Sequence, residues 1–119
     1  MVEDSDAKRM TDSLQRQAQS LQETSPEKYG LLKAYHESVR EALDVCSRNY
    51  PSTKQLSENI PDSGMTPQMV GNLLALLVEF KIIGIFSERN NSNRYDLTHY
   101  DRNRMDTLSH ILQHVTASS

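Results

Sequence analysis

Residues 66–98 read TPQMVGNLLALLVEFKIIGIFSERNNSNRYDLT, and the remaining residues make most sense as what presents this segment. Thr66 suits a helix N-cap and Pro67 the first helical position. Val70, Leu73, Leu74, Leu77 and Phe80 then recur at helical spacing. The helix is predicted to end near Phe80 or Lys81, where β-branched Ile82 and Ile83 pull the chain toward strand. Ile85-Phe86 can pair antiparallel with Tyr95–Leu97. Asn90-Asn91-Ser92-Asn93 suits the intervening tip, because asparagine tolerates left-handed backbone. Arg89 and Arg94 flank that tip.

Upstream, Ser52-Thr53-Lys54-Gln55 is a capping-box pattern. It starts a short helix, predicted to run through about Ile60 and to be anchored by Leu56 and Ile60. Pro61-Asp62-Ser63-Gly64 follows as a turn. Short helix, turn and longer helix at this spacing make a helix-turn-helix. A longer helix precedes it, opened by Ser25-Pro26 and running to about Arg48, with Leu32, Tyr35, Val39, Ala42, Leu43 and Cys46 on one face. Asn49-Tyr50-Pro51 ends it, since proline disfavours helix at its predecessor.

The flanks are amphipathic. In residues 1–24, Met10, Leu14 and Leu21 with Ala7 and Ala18 mark a thin apolar stripe, too thin to fold alone. The expectation is a helix packed across a subunit interface, with a mobile tail as the alternative. Asp101 caps a last helix through about Val115. There Met105, Leu108, Leu112 and Val115 form an a/d seam suited to a symmetry mate or to the first helix. Three segments result: an N-terminal arm (1–24), a central unit (25–98) and a C-terminal dimerisation helix (99–119).

Composition sets limits on function. The chain has 119 residues, 36% hydrophobic and 24% charged, and a net charge of −3. That fits one globular domain with a modest core. No apolar run approaches membrane-spanning length. The acidic start, Met1 to Asp6, is unlike a secretory signal. The single cysteine, Cys46, suggests a reducing, cytoplasmic setting. Nucleic-acid binders usually carry a basic excess. Yet between Ser52 and Thr98 four bases (Lys54, Lys81, Arg89, Arg94) face five acids (Glu58, Asp62, Glu79, Glu88, Asp96), a sum of −1.

These residues resemble prokaryotic winged-helix transcription regulators of the MarR, ArsR and PadR kind. Leu56 matches their short helix, Leu77-Val78-Glu79-Phe80-Lys81-Ile82-Ile83 their second-helix end, and Arg94-Tyr95-Asp96-Leu97-Thr98 their wing closure. Lys81 departs from the usual glycine, which predicts a helix end without a left-handed cap. The resemblance covers residues 31–98 and implies a mainly α winged helix-turn-helix flanked by dimerisation helices. It implies a homodimer binding double-stranded DNA, with the recognition helix in the major groove and the wing on phosphate or minor groove.

On that basis Gln68, Met69 and Asn72, with Thr66 at the mouth, face the bases. Gln and Asn can bond adenine bidentately, and Met69 can touch a thymine methyl. Ser52, Thr53 and Lys54 suit phosphate contact by backbone N–H and hydroxyl. Arg89, Asn91, Asn93 and Arg94 form the wing's contact set. Met10, Leu14, Leu21, Met105, Leu108, Leu112 and Val115 form the dimerisation set.

Other chemistries find less support. His110 and His114 share a helical face near His99, but zinc wants about four ligands, and two histidines fall short without a second chain. Cys46 reads as a packed thiol, since no resolving cysteine exists. Cys46 and His36 lie on a core helix, there is no nucleophile elbow or phosphate-cradling glycine loop, and carboxylates are unpaired. An enzyme is not expected, and no cofactor is implied. The competing reading is a winged helix used for protein–protein interaction within a larger complex.

Overall fold

The computed structural model describes residues 2–60, 64–87 and 93–118, with the side chains of 2–7 and 114–118 left out of the description. It is mainly helical with one small hairpin. The order is α1 (Val2–Thr24), α2 (Pro26–Val45), α3 (Thr53–Glu58), α4 (Pro67–Glu79), β1 (Gly84–Ser87), β2 (Arg94–Asp96) and α5 (Arg102–Ser118). Among the described residues no helix is long and apolar enough to cross a membrane.

The N-terminal helix forms over its predicted length but packs on its own chain, against α2 and α5. It runs almost directly into α2: the Ser25 N–H still donates to the Leu21 carbonyl, and Pro26 takes the first position of α2. Ser25 occupies the N-cap position without a side-chain cap bond. Proline has no N–H to satisfy at that first position.

The a/d seam is buried within one chain. Leu14, Met105, Leu108 and Leu112 are each 0% exposed. They join Leu32, Leu43, Leu56, Leu73, Leu77 and Tyr95 in one continuous core. A side chain with no exposed surface has none to offer a second copy. Met10 and Leu21 are half-buried against the same core, and the Val115 side chain lies outside the described residues. Of the two partners foreseen for the seam, the first helix is the one present.

The helix α2 ends at Val45, three residues before the expected Arg48. The cause is long-range. The Pro51 and Asn49 carbonyls accept from the Tyr95 and Leu97 N–H groups, both at 2.9 Å, and Ser52 forms an isolated bridge with Arg94. Residues 49–52 therefore run antiparallel to β2, joined to it by these two bonds and one isolated bridge. Cys46, expected on the buried face, is half-buried, while His36 is buried in that face. Tyr35 is half-buried too. Ser52 and Gln55 make both halves of the capping box, but α3 stops at Glu58 rather than near Ile60. The Asn59 and Ile60 N–H groups instead make tightened i→i−3 bonds.

At the end of α4 the expectation for Lys81 fails. Lys81 adopts φ 63°, the left-handed conformation that glycine usually supplies. Its N–H donates to the Val78 carbonyl and the Ile82 N–H to the Leu77 carbonyl, both at 2.9 Å. That pair of bonds is a complete Schellman cap. Buried Ile82 and Leu77, 1% exposed each, supply the apolar contact that accompanies it. The next helix reinforces this corner: the Asp101 N–H donates to the Ile82 carbonyl and the Arg104 guanidinium to the Phe80 carbonyl. Tertiary bonds thus hold a lysine where local preference favours glycine. Lys81→Gly is expected to raise stability by about 0.5–1 kcal/mol, relief of strain outweighing the added unfolded-state entropy. Urea denaturation measures it; a loss of stability would show that Lys81 is unstrained.

Where α2 meets α5, buried His36 places Nδ1 3.1 Å from the Ser109 hydroxyl. The Arg40–Asp106 ion pair and the Gln113–Glu37 bond flank it nearer solvent. Burial holds the His36 imidazole below its usual pKa, opposed by nearby Glu37 and assisted by Arg40. The unfolded chain takes up this proton near pH 6.5 and the folded chain only at lower pH. Stability should therefore be level above about pH 7 and fall as pH drops through 6.5, by at most about 1.4 kcal/mol per unit from this group. Urea midpoints at pH 7 and pH 5.5 in the wild type and in His36→Gln measure this. The variant should lose that part of the slope; an identical slope in both would contradict it.

Candidate nucleic-acid interface

At the front of α4, Thr66 is the N-cap and its hydroxyl accepts from the Met69 N–H at 3.2 Å, with Pro67 at the first helical position. The apolar side of the helix is spent on the core: Val70, Leu73, Leu74, Leu76 and Leu77 are all buried. Helical phase then leaves Gln68 and Asn72 exposed, together with Thr66 and Ala75. Met69 is half-buried, so less of it is available to a methyl group than its position suggested. The front of this exposed strip carries two amides and a hydroxyl and no charge, the exposed Glu79 lying at its far end, so the front can donate and accept hydrogen bonds without being drawn to phosphate.

The start of α3 is a junction. Its Ser52 bridges to β2, the Thr53 hydroxyl lies 3.4 Å from the Tyr95 hydroxyl, and the Thr53 methyl packs beside Gly71 of α4. One short helix end is thereby fixed against both the hairpin and α4. Ser52 is also tied into the cap of α3. Its N–H donates to Gln55 Oε1 and its hydroxyl accepts from the Gln55 N–H. The cap uses the Ser52 N–H and one acceptor site of its hydroxyl and leaves the hydroxyl proton to donate. Thr53 is half-buried, and Lys54 is the exposed group of the three.

The hairpin pairs Gly84 with Asp96, Ile85 with Tyr95 and Ser87 with Arg94. Phe86 is the extra residue of a bulge between Ile85 and Ser87, a place where strands re-aim side chains. Tyr95 faces the core at 2% exposure, while Phe86 is 56% exposed and stacks on Tyr50, ring centroids 4.1 Å apart. Arg94 is exposed, and its Nη1 donates to the Tyr50 carbonyl at 3.2 Å. A guanidinium has five donors, so this bond orients Arg94 without exhausting it. Asn93 is half-buried. Arg89 and Asn91 lie outside the described residues. After β2, the Thr98 hydroxyl and N–H bond to the Asp96 carboxylate and hold it below the usual carboxylate range.

The aromatic pair and the pairing of residues 49–52 with β2 escaped sequence reasoning. Tyr50 and Phe86 are 36 positions apart in the sequence, and the folded chain brings their rings together. A clue was available: Asn49-Tyr50-Pro51 stops a helix in favour of extended backbone, which is what pairing with β2 needs.

Among the described residues, no three histidine, cysteine, aspartate or glutamate side chains gather closely enough to hold a metal ion. His110 is exposed on α5, the His114 side chain is outside the described residues, and His99 Nδ1 lies 2.8 Å from the Thr98 hydroxyl. No protein-family model, curated protein or solved structure matches this chain.

Proposed function

We propose that residues 25–98 form a winged helix-turn-helix and that the protein is a sequence-specific double-stranded DNA-binding regulator acting as a homodimer. In this reading α4 enters the major groove, and the hairpin lies on phosphate or minor groove. The observation that carries it is the uncharged exposed strip of Gln68 and Asn72 at the capped front of α4, fixed through Thr53 to a hairpin bearing Arg94. Amides at a helix front match base edges; an oriented arginine beside them matches the backbone. The sum of −1 over residues 52–98 means that one copy has little general phosphate affinity, so the reading needs two copies. Their contact must use surface other than the buried seam, such as the outer side of α1 or the end of α5.

Arg94→Ala tests the wing. A dimer would lose one phosphate contact per copy, and the slope of log affinity against log salt should flatten by about 1.8. Duplex titration between 50 and 200 mM salt, on the order of physiological ionic strength, measures this. An unchanged slope would remove Arg94 from the interface.

One observation favours a second reading, a winged helix that docks on protein. The exposed large apolar residues among those described are Val45, Tyr50, Ile85 and Phe86, and three of them belong to the hairpin and the segment paired with it. Aromatic residues of this kind are enriched at protein interfaces. Duplex binding in the titration above decides between the two.

A further inference from the structure

We propose that the groove bounded by α1, the start of α2 and α5 is a binding site for a small, neutral, one- or two-ring compound whose carbonyl or other acceptor bonds to the Tyr29 hydroxyl. The groove has a volume of about 950 Å³, at the upper end of small-ligand pockets. Ala18, Tyr29 and Ile111 give it an apolar floor, with 3%, 5% and 5% exposure. Gln15, Gln19 and Gln22 from α1 and Thr107 from α5 line its polar edge.

The observation that turns a groove into a site is at Tyr29. Its hydroxyl oxygen is buried and has no hydrogen-bond partner among the described residues. A covered, unpaired hydroxyl is unfavourable, and such groups call for a partner the protein itself does not supply. Burial also holds the phenol above its usual pKa, so it is a neutral donor across the physiological range. An acceptor on a bound molecule satisfies it. The flexible glutamine side chains at the edge are the groups that move to admit that acceptor.

The lining also selects charge. No lysine or arginine lines the groove, whose one basic side chain is the imidazole of His110, and its carboxylate, Asp106, is already paired with Arg40. An anionic ligand would face that carboxylate with no lysine or arginine among the lining residues to offset its desolvation. A neutral compound pays neither cost. This site is distinct from α4 and the hairpin, and it stands or falls independently of DNA binding.

The test combines amide chemical shifts with thermal melts of the whole protein, using acetophenone, benzamide and coumarin as neutral probes and benzoate as the anionic control. At least one neutral probe should shift amides of residues 15–22, 29 and 106–111 saturably. At ten times its Kd it should raise Tm by about 3–5 °C. Benzoate should bind at least tenfold more weakly. Tyr29→Phe should melt no lower than wild type without ligand and weaken the neutral probe about tenfold or more. Thr107→Phe, which adds bulk at the α5 side of the groove, should abolish the shifts. The proposal is overturned if none of the neutral probes binds there, if benzoate binds as well, or if Tyr29→Phe binds equally. It is also overturned if Tyr29→Phe lowers Tm in the free protein, because the hydroxyl would then already have a partner.

Discussion

Leu108→Glu is expected to unfold the protein rather than to produce a folded monomer. Leu108 has no exposed surface and sits in the core with Leu14, Leu112 and Met105. Removing a buried leucine side chain costs about 2–5 kcal/mol through lost transfer energy and cavity formation. Burying a carboxyl without a partner adds a further cost of several kcal/mol unless it protonates. The sum, about 5 kcal/mol or more, is comparable with the whole stability of a small domain, about 5–15 kcal/mol. Circular dichroism and urea denaturation should show a molten or unfolded chain at 25 °C, a common reference temperature. The milder Leu108→Ala should remain folded with a midpoint lowered by about 2–5 kcal/mol. A Leu108→Glu variant that kept its full helical signal and only changed its sedimentation would restore the seam to an intermolecular role.

The second large effect concerns the exposed front of α4. If Gln68 and Asn72 read bases, replacing both with alanine should cost about 1–3 kcal/mol per residue on the selected duplex. That is roughly a tenfold to hundredfold loss each, and affinity for unrelated duplex should change by less than about threefold. Because both side chains are exposed and outside the core, the double variant should melt within about 0.5 kcal/mol of wild type. Competition titrations with specific and scrambled duplexes separate the outcomes. Equal losses on both duplexes would mean that the amides act only through general affinity, and no loss would move the reading surface elsewhere.

Local signals were the most legible. Thr66-Pro67, the Ser52–Gln55 box and Asp101 each specify bonds within one turn of chain, and each forms as its residues dictate. The hairpin pairing was readable for the same reason, although its bulge at Phe86 was not. What escaped was nonlocal. The early end of α2 depends on β2 drawing residues 49–52 into pairing, and the left-handed Lys81 depends on a corner held by Asp101 and Arg104. The seam shows the same limit differently. Its heptad spacing correctly marked a buried face, but spacing alone cannot say whether the partner belongs to the same chain. In the candidate site, exposure at Gln68 and Asn72 followed from helical phase. The Tyr50–Phe86 pair needed the folded chain.

The central claim is that the uncharged front of α4 and the oriented Arg94 read duplex DNA. Selection of genomic fragments with the purified protein tests it most directly, with the bound sites sequenced and binding repeated across salt concentrations. The account predicts enrichment of a two-fold-related sequence whose affinity falls as salt rises. Recovery of fragments with no shared sequence, or no salt-dependent duplex binding at all, would contradict it.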